Sequence, residues 1–183
     1  MIESDNKKLL RREIKTKLLS LSKEQKNEYT LKITERVLYF LENINYKKIG
    51  VFLSTDTEVD THYLINYLID KNKDVYAPVI KDDQMFFCPI TNSIKYIINN
   101  FGIREPQFTT PETNLDVIIT PLVAFDKNKN RLGHGCGFYD KFFVNKSCYK
   151  IGICFSLQQA FSVFPNSHDI PLDVIITEQN IFN

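Results

Sequence analysis

The first forty residues of the chain carry apolar side chains at helical spacing. In the first part of this region the apolar positions lie three or four residues apart, on one face of a helix: Leu10, Ile14, Leu18 and Leu21. Residues 22–25 read Ser-Lys-Glu-Gln, which fits a capping box and predicts the start of a second helix. The apolar positions of this second helix recur every four residues: Ile33, Val37 and Leu41. We therefore predict two helices between residues 4 and 43.

From residue 47 the pattern changes to short apolar runs separated by helical stretches. A helix is predicted over 62–71, and strands are predicted over 49–53, 75–78, 85–90, 115–120, 150–155 and 172–177. The runs are mostly continuous and β-branched, which indicates strands that are buried on both faces. Strands interleaved with helices favour an α/β fold with a mostly parallel sheet. The hexapeptide LDVIIT occurs at 115 and at 172, and we interpret it as two similar central strands.

Composition and charge narrow the possible functions. The 183 residues include 23 Lys and Arg against 22 Asp and Glu, so the chain has no general attraction to nucleic acid or to an anionic membrane. Any anion site must therefore be local. The hydrophobic fraction of 43% is that of a globular protein, and we predict one domain spanning residues 1–183.

The spacing of the cysteines and the length of the apolar runs indicate the cellular compartment of the protein. The four cysteines form no C-x-x-C pair and have no metal-ligand spacing with the three histidines, so free thiols are predicted: Cys88, Cys136, Cys148 and Cys154. The start of the chain lacks an apolar signal core, and no apolar stretch approaches the roughly 18 residues of a membrane span. We expect a cytoplasmic protein.

A glycine-rich segment at 131–140 is the strongest candidate for a binding site. Glycines occupy every second position from Gly133 to Gly137, between Arg131 and Asp140. The segment follows a predicted strand and leads into a predicted helix near Phe138, so its amides could approach phosphate oxygens closely. Arg131 could clamp a phosphate with two parallel hydrogen bonds. The spacing matches neither a Walker A loop nor a dinucleotide fingerprint, so a purely structural turn is the alternative.

This segment resembles the signature of the 5-formyltetrahydrofolate cyclo-ligase family. The matching residues are Asn130, Arg131, Leu132, Gly133, Gly135, Gly137, Phe138, Tyr139 and Asp140. Four further motifs of the family follow in compatible order: the K-x-x-x-R pattern of 7–11, the strand and loop of 52–61, the linker Phe101-Gly102-Ile103-Arg104-Glu105-Pro106, and the tail of 165–178. The resemblance therefore extends over nearly the whole chain.

The resemblance implies a fold and a reaction. The fold of the family is a three-layer α/β sandwich similar to the ribose-phosphate isomerase and CoA-transferase group. Its reaction couples ATP hydrolysis to the closure of 5-formyltetrahydrofolate into 5,10-methenyltetrahydrofolate. Because an amide oxygen is a poor leaving group, the family phosphorylates the formyl oxygen first. The neighbouring amine then attacks the activated carbon, and phosphate departs.

The resemblance also implies which residues hold ATP. Lys7 and Arg11 lie four residues apart, at the edge of the apolar stripe of the first helix, where a solvated basic face is the alternative. The family assigns these two cations to ATP phosphates. The same role is implied for the glycine-rich segment: Arg131, Leu132, Gly133, His134, Gly135, Cys136, Gly137, Phe138 and Tyr139.

Two aspartates are implied to hold Mg²⁺. Asp140 follows the glycines, and Asp169 precedes the last predicted strand. Two carboxylates, completed by phosphate oxygens and water, suit octahedral Mg²⁺. Read alone, each is equally a helix first-turn acid or a turn residue.

Folate contacts are implied at the carboxyl end of the first predicted strand. Glu58 and Asp60 flank Val59 there, and a carboxylate can accept hydrogen bonds from the amino and ring N–H groups of a pterin. Thr55 occupies a further folate position of the family. His134 and Phe138 would face the same substrate. His134 could polarise the formyl oxygen, which makes it a catalytic candidate beside Arg131, or it could merely line the loop.

Two other functions remain open at this stage. A folate- or nucleotide-binding regulatory relative without turnover is supported by His134 and Cys136, which depart from the commoner residues of the family. A sugar-phosphate isomerase of the same fold would need no nucleotide, and the K-x-x-x-R pattern gives it little support. For the cyclo-ligase we expect a monomer with ATP and folate as small-molecule partners.

Overall fold

The two amino-terminal helices form where the sequence predicts them. The computed structural model describes residues 5–91, 94–99, 102 and 104–183. Helix α1 spans Asp5–Leu19 and helix α2 spans Lys23–Glu42. The predicted capping box is confirmed, since the Gln25 amide donates to Ser22 Oγ at 3.2 Å and the Ser22 amide donates to Gln25 Oε1 at 2.9 Å. Residue 4 and the linker positions Phe101 and Ile103 lie outside the described residues.

A mixed sheet forms the centre of the described structure. Its seven strands are β1 (Lys48–Val51), β2 (Asp74–Lys81), β3 (Gln84–Pro89), β6 (Val117–Thr120), β9 (Tyr149–Ile153), β10 (Val174–Ile176) and β11 (Ile181–Phe182), within the part of the chain that is described. Their order is β11-β10-β9-β6-β1-β2-β3. The five inner strands pair in parallel, and β3 and β11 pair antiparallel at the two edges. The predicted mostly parallel sheet is confirmed.

Two small ribbons lie outside this sheet and were not predicted. Strand β4 (Tyr96–Ile98) pairs antiparallel with β5 (Arg104–Pro106). Strand β7 (Ala124–Phe125) pairs antiparallel with β8 (Arg131–Leu132), which immediately precedes the glycines. The second ribbon therefore holds the start of the glycine-rich segment in a fixed register.

Side chains of the inner strands alternate between two apolar clusters. Ile119 packs in a cluster with buried residues of α1, α2 and helix α3 (His62–Asp70), whereas Ile118 packs in the cluster of the opposite face with Phe143 of helix α4 (Phe138–Phe143). The sheet is thus covered on both sides, which explains why its strands are continuously apolar. This agrees with the three-layer α/β sandwich that the resemblance implied.

The repeated hexapeptide has the same structural role at both positions. Asp116 Oδ2 accepts hydrogen bonds from the amides of Lys47 and Lys48 at 2.8 Å each. Asp173 Oδ2 accepts one from the amide of Lys150 at 2.7 Å. Each aspartate therefore fixes the amino end of the neighbouring parallel strand, and the interpretation as two similar central strands is confirmed.

Close packing beneath the last strands requires a glycine at position 152. A Cβ atom there would lie 2.5 Å from Leu172 Cδ1 and 2.8 Å from Leu122 Cδ2. Because these contacts are shorter than any ordinary carbon contact, Gly152 lets the two leucines cover the sheet directly.

The parallel strands bring their carboxyl ends to one edge of the sheet. Strand β1 ends there at Val51 and leads into the loop 52–61, and strand β10 ends there at Ile176. Open α/β sheets bind ligands at this edge. No helix within the described ranges is long and apolar enough to cross a membrane.

Candidate functional site

Lys7 and Asp169 form an ion pair that joins α1 to the loop before β10. Lys7 Nζ lies 2.6 Å from Asp169 Oδ2, and the two side chains are 11% and 16% exposed. The Asn166 amide donates to the same carboxylate oxygen at 2.8 Å. Burial alone would raise the pKa of Asp169, but the hydrogen bonds from Lys7 and Asn166 outweigh burial, and the pKa is lowered. Asp169 is therefore held as a carboxylate.

Arg131 and Asp140 form a second ion pair. Arg131 Nη2 lies 2.9 Å from Asp140 Oδ1, and Arg131 Nη1 donates to the Ile170 carbonyl oxygen at 2.7 Å. The Ile170 amide donates to the same Asp140 oxygen at 2.9 Å. The Arg131 side chain is only 3% exposed, and its guanidinium lies near the rings of Tyr139 and Phe143. Both terminal nitrogens are bound to protein oxygens, and the two-bond clamp of Arg131 on a phosphate stays a prediction.

Arg11 connects α1 directly to the glycine-rich loop. Its Nε donates to the Gly133 carbonyl oxygen at 2.7 Å. Burial lowers the pKa of Arg11, whereas the negative charge of Asp169 acts in the opposite direction. The cations of α1, the loop and Asp169 therefore share one electrostatic environment.

The loop backbone is shaped by glycines in the left-handed region. Gly135 has a φ of 114° and Gly137 has a φ of 67°, and Gly137 immediately precedes α4. Other residues adopt such angles only at a cost. His134 and Cys136 are exposed, whereas Leu132 is buried beneath the loop. The loop thus presents its backbone and two exposed side chains on its outer surface.

Asp126 anchors the turn that leads into this loop, and the sequence reasoning missed it. Its side chain is nearly buried, and Oδ1 accepts hydrogen bonds from the amides of Asn128 at 3.0 Å and Asn130 at 3.2 Å. Asn130 Nδ2 donates to the same oxygen at 3.1 Å. An aspartate followed by asparagines two and four residues later is typical of such a turn, so the signal was present in the sequence.

The loop after β1 brings the predicted folate residues together. Glu58 Oε2 accepts hydrogen bonds from the Thr55 amide at 2.8 Å and from the Thr55 hydroxyl at 2.9 Å. Asp60 instead faces the start of α3, where its Oδ1 accepts from the His62 amide at 2.8 Å. Burial would raise the pKa of Asp60, but the bonds from His62 lower it. Thr55 and Glu58 thus act as a unit, and Asp60 caps a helix.

Tyr139 lies on α4, directly after the glycine-rich loop. Its ring centroid is 5.9 Å from that of Phe143 and 6.0 Å from Arg131 Cζ. Its hydroxyl oxygen is fully buried and has no hydrogen-bond partner among the described residues. Burial is the largest cause of a raised pKa of Tyr139, and the Glu58 carboxylate adds to it.

The two aspartates offer an incomplete set of metal ligands. Among the described residues, no group of three or more His, Cys, Asp and Glu side chains could hold a metal ion. Asp140 and Asp169 are connected through the Ile170 amide, and each uses mainly one carboxylate oxygen in its ion pair. This donor set fits Mg²⁺ where phosphate oxygens and water supply the remaining ligands.

Comparison with known proteins reveals relatives of matching length. A 5-formyltetrahydrofolate cyclo-ligase of Haemophilus influenzae is 32% identical over 186 residues, which cover 96% of this chain and 100% of the relative. A 5-formyltetrahydrofolate cyclo-ligase of Escherichia coli is 32% identical over 179 residues, which cover 92% of this chain and 98% of the relative.

Solved structures show the same fold. The 5,10-methenyltetrahydrofolate synthetase of Aquifex aeolicus aligns with a TM-score of 0.84 at 28% identity, over 96% of this chain and 91% of that chain. The 5,10-methenyltetrahydrofolate synthetase of Mycoplasma pneumoniae aligns with a TM-score of 0.78 at 27% identity, over 96% of this chain and 99% of that chain. The profile of the 5-formyltetrahydrofolate cyclo-ligase family matches residues 3–178, and it includes all the site residues described above. The resemblance inferred from the sequence is confirmed, and the chain belongs to the 5-formyltetrahydrofolate cyclo-ligase family.

Proposed function

We propose that this chain catalyses the ATP-dependent cyclisation of 5-formyltetrahydrofolate to 5,10-methenyltetrahydrofolate, with release of ADP and phosphate. The observation that carries the proposal is the convergence of α1 and the glycine-rich loop: Arg11 binds the Gly133 carbonyl and Lys7 binds Asp169. Two cations, a loop of bare amides and two carboxylates thus lie close together, which is the combination that a triphosphate and its metal ion would require.

The phosphates of ATP are held by Lys7, Arg11 and the loop amides of 133–137 in this proposal. Two cations of α1 and the backbone N–H groups of the neighbouring loop can follow a triphosphate without a Walker A loop. Arg131 takes a different part from the one predicted. It holds Asp140 and the Ile170 carbonyl oxygen in place through its two terminal nitrogens, and it compensates the charge of the Asp140 carboxylate until substrates bind.

Asp140 and Asp169 are the residues that would hold Mg²⁺. The ion would supply positive charge against the charge that develops on the transferred phosphoryl group. The protein prepares both carboxylates for this role, because Asp169 keeps a lowered pKa and Asp140 is oriented by Arg131 and by the Ile170 amide.

The folate lies on the side of Thr55 and Glu58. Glu58 accepts N–H groups of the pterin, and Thr55 keeps its carboxylate in place through two hydrogen bonds. Phe138 at the start of α4 offers an apolar surface, and the exposed His134 faces the reacting groups from the loop. Asp60 contributes to folate binding either directly, through its second carboxylate oxygen, or indirectly, because its bond from the His62 amide fixes the position of α3.

The chemical steps follow from the substrate. The formyl oxygen attacks the terminal phosphorus of ATP, and the bond from that phosphorus to ADP breaks. The neighbouring amine then attacks the formyl carbon, the phosphorylated oxygen leaves as phosphate, and the amine loses its proton. Positioning and charge compensation are what this site supplies to these steps.

Turnover can be followed directly, because the methenyl product absorbs in the near ultraviolet. Purified protein is mixed with 5-formyltetrahydrofolate and Mg²⁺, with ATP or with a non-hydrolysable ATP analogue. Absorbance that grows only with ATP is expected. Binding of folate without growth of absorbance would contradict the proposal and would instead support a regulatory relative. Growth without any nucleotide would contradict it as well.

A further inference from the structure

A groove lies between α1 and the segment 159–164, away from the site described above. Its volume is about 610 Å³. Lys7 and Arg11 are not among the residues that line it, so the groove and the proposed phosphate contacts occupy different sides of α1. The apolar side chains along the groove come from both of its walls: Leu9, Leu10, Ile14, Ala160, Phe161 and Phe164.

Phe161 lies almost completely in solvent at the rim of this groove. It is 98% exposed, more than any other large apolar residue among those that the structure describes. Unlike the exposed Tyr39 on α2, its ring has no polar atom that water could bind. Leu9 and Phe164 are exposed beside it, and Phe164 lines the groove although its φ of 55° lies in the left-handed region, which bulky residues rarely adopt. Apolar patches of this kind often mark an interaction surface.

The charged residues of the groove balance each other. Glu13 and Lys17 both line it, with Glu13 Oε1 2.7 Å from Lys17 Nζ, and both side chains are exposed. A neutral rim has no attraction to an anionic membrane or to nucleic acid. A second copy of the chain, however, brings one acid and one base of its own, so it can pair with both residues.

We propose that this groove is the interface of a homodimer, in which the Phe161 ring of each copy enters the groove of the other. The ring and the groove belong to one surface patch, so a two-fold axis buries both at once and the assembly closes at two copies. The walls comprise only residues 6–17 and 159–164, fewer than the roughly 20–30 residues per side of a standard interface, so we expect a dissociation constant of about 1–100 µM. The dimer replaces the monomer expected from the sequence, and it requires neither ATP nor folate.

Sedimentation equilibrium of the full chain tests this directly. Between about 1 and 200 µM the mass should rise from the 21.4 kDa of one chain toward twice that value. Phe161→Ser removes the central ring from both sides of the interface, so it should raise the dissociation constant at least about 100-fold. Because Phe161 is exposed, its unfolding temperature should not change. Tyr39→Ser, which removes an exposed aromatic ring of α2, is the matched control and should leave the dissociation constant within about twofold.

Charge reversal identifies a second copy as the occupant of the groove. Glu13→Lys gives a rim with two lysines, and Lys17→Glu gives a rim with two glutamates. Each variant alone should dimerise at least about tenfold more weakly than wild type, because like charges then meet across the axis. An equimolar mixture of the two variants should form heterodimers with close to wild-type affinity, since the lysines of one copy then face the glutamates of the other.

Three results would overturn the inference. One is a wild-type mass that stays at the value of one chain up to about 200 µM, which is above the expected dissociation constant. Another is a dimer that Phe161→Ser leaves intact, or that Tyr39→Ser weakens equally, since the interface would then lie elsewhere. The third is a mixture of the two charge variants that dimerises no better than either alone. None of these measurements requires turnover, so failure of the proposed function would leave the inference standing.

Discussion

Lys7 Nζ donates to Asp169 Oδ2 at 2.6 Å, which links the first turn of α1 to a loop 162 residues further along the chain. The family resemblance assigned Lys7 to a phosphate of ATP and Asp169 to the Mg²⁺ ion that accompanies it. Each compensates the charge of the other at a place that is mostly shielded from solvent. When a ligand binds here, Lys7 and Asp169 exchange their mutual contact for contacts with the ligand. Little further desolvation is needed, because both groups are already mostly shielded from water.

Replacing Asp169 with asparagine should make the stability of the protein less dependent on acid. The pKa of Asp169 is lowered in the folded protein from its ordinary value of 3.8. Its contribution is therefore fully present above about pH 3.8 and is lost as the pH falls through the lower folded value. At pH 7 we expect Asp169→Asn to cost about 1–3 kcal/mol in the free energy of unfolding.

Denaturant titrations of both proteins between pH 7 and pH 3 check this. The difference between wild type and Asp169→Asn should shrink toward acid. Asp56→Asn, an exposed change on the loop after β1, serves as the control. A difference that stays constant over the whole range would show that the carboxylate charge contributes nothing.

Replacing Arg131 should damage both the fold and the reaction. Arg131→Ala leaves Asp140 without its cation and the Ile170 carbonyl without its donor, which we expect to destabilise the protein by about 3–5 kcal/mol. Lysine restores the charge but cannot bind both oxygens with a planar fork, so Arg131→Lys should recover only part of the loss.

The effect on activity separates a positioning role from direct phosphate binding. If Arg131 acts through Asp140, then Arg131→Lys and Asp140→Asn should each lower kcat/KM, by up to about 100- to 1,000-fold, and should raise the Mg²⁺ concentration needed for half-maximal rate. Activity at saturating Mg²⁺ near that of wild type in Asp140→Asn would contradict this role. A rise in the KM for ATP with unchanged Mg²⁺ dependence in Arg131→Lys would favour the direct clamp instead.

The sequence predicted most of the fold because its signals were local. Continuous β-branched runs such as 117–120 identified the buried parallel strands, and the capping box at Ser22 and Gln25 placed the start of α2. The ribbon of β7 and β8 was not predicted, because strands of two residues are too short to show a periodic pattern. Its register depends on the turn that Asp126 holds, and this local turn could have been inferred from the spacing of Asp126, Asn128 and Asn130.

Charge contacts in the site were harder to predict. The periodicity of α1 predicted Lys7 and Arg11 at the edge of the apolar stripe, and in the structure Lys7 is buried and Arg11 is partly buried. No spacing could show that Arg131 is buried with both terminal nitrogens bound to protein oxygens, because its partners Asp140 and Ile170 come from other parts of the chain. Nor could it reveal the unpaired hydroxyl of Tyr139, which only burial makes unusual.

Removing the Asp126 carboxylate should loosen the turn before the glycine-rich loop. Asp126→Ala leaves the amides of Asn128 and Asn130 without their acceptor in a nearly buried place, so we expect a loss of about 1–3 kcal/mol in the free energy of unfolding. The KM for ATP should rise more than the KM for folate, because the turn positions the loop and not the 54–61 segment. Asp126→Asn keeps an acceptor oxygen and should recover part of both losses. Equal changes of the two KM values would contradict a local effect.

Two glycine-to-alanine changes should separate packing from ligand approach. A methyl group at Gly152 would meet Leu172 at 2.5 Å and Leu122 at 2.8 Å, whereas one at Gly133 would have no protein atom within 4 Å. Gly152→Ala should therefore destabilise the protein by about 1–3 kcal/mol while leaving the KM for ATP of the folded fraction unchanged.

Gly133→Ala should show the opposite behaviour. The space in front of this position is open in the protein, so its unfolding temperature should change little. If that space receives phosphate oxygens, then the methyl group should raise the KM for ATP by about tenfold or more, while the KM for folate rises less. Calorimetric titration with a non-hydrolysable ATP analogue measures the same effect without turnover. Wild-type nucleotide affinity in Gly133→Ala would mean that the phosphates do not approach the loop at this glycine, and the triphosphate would then have to lie along α1.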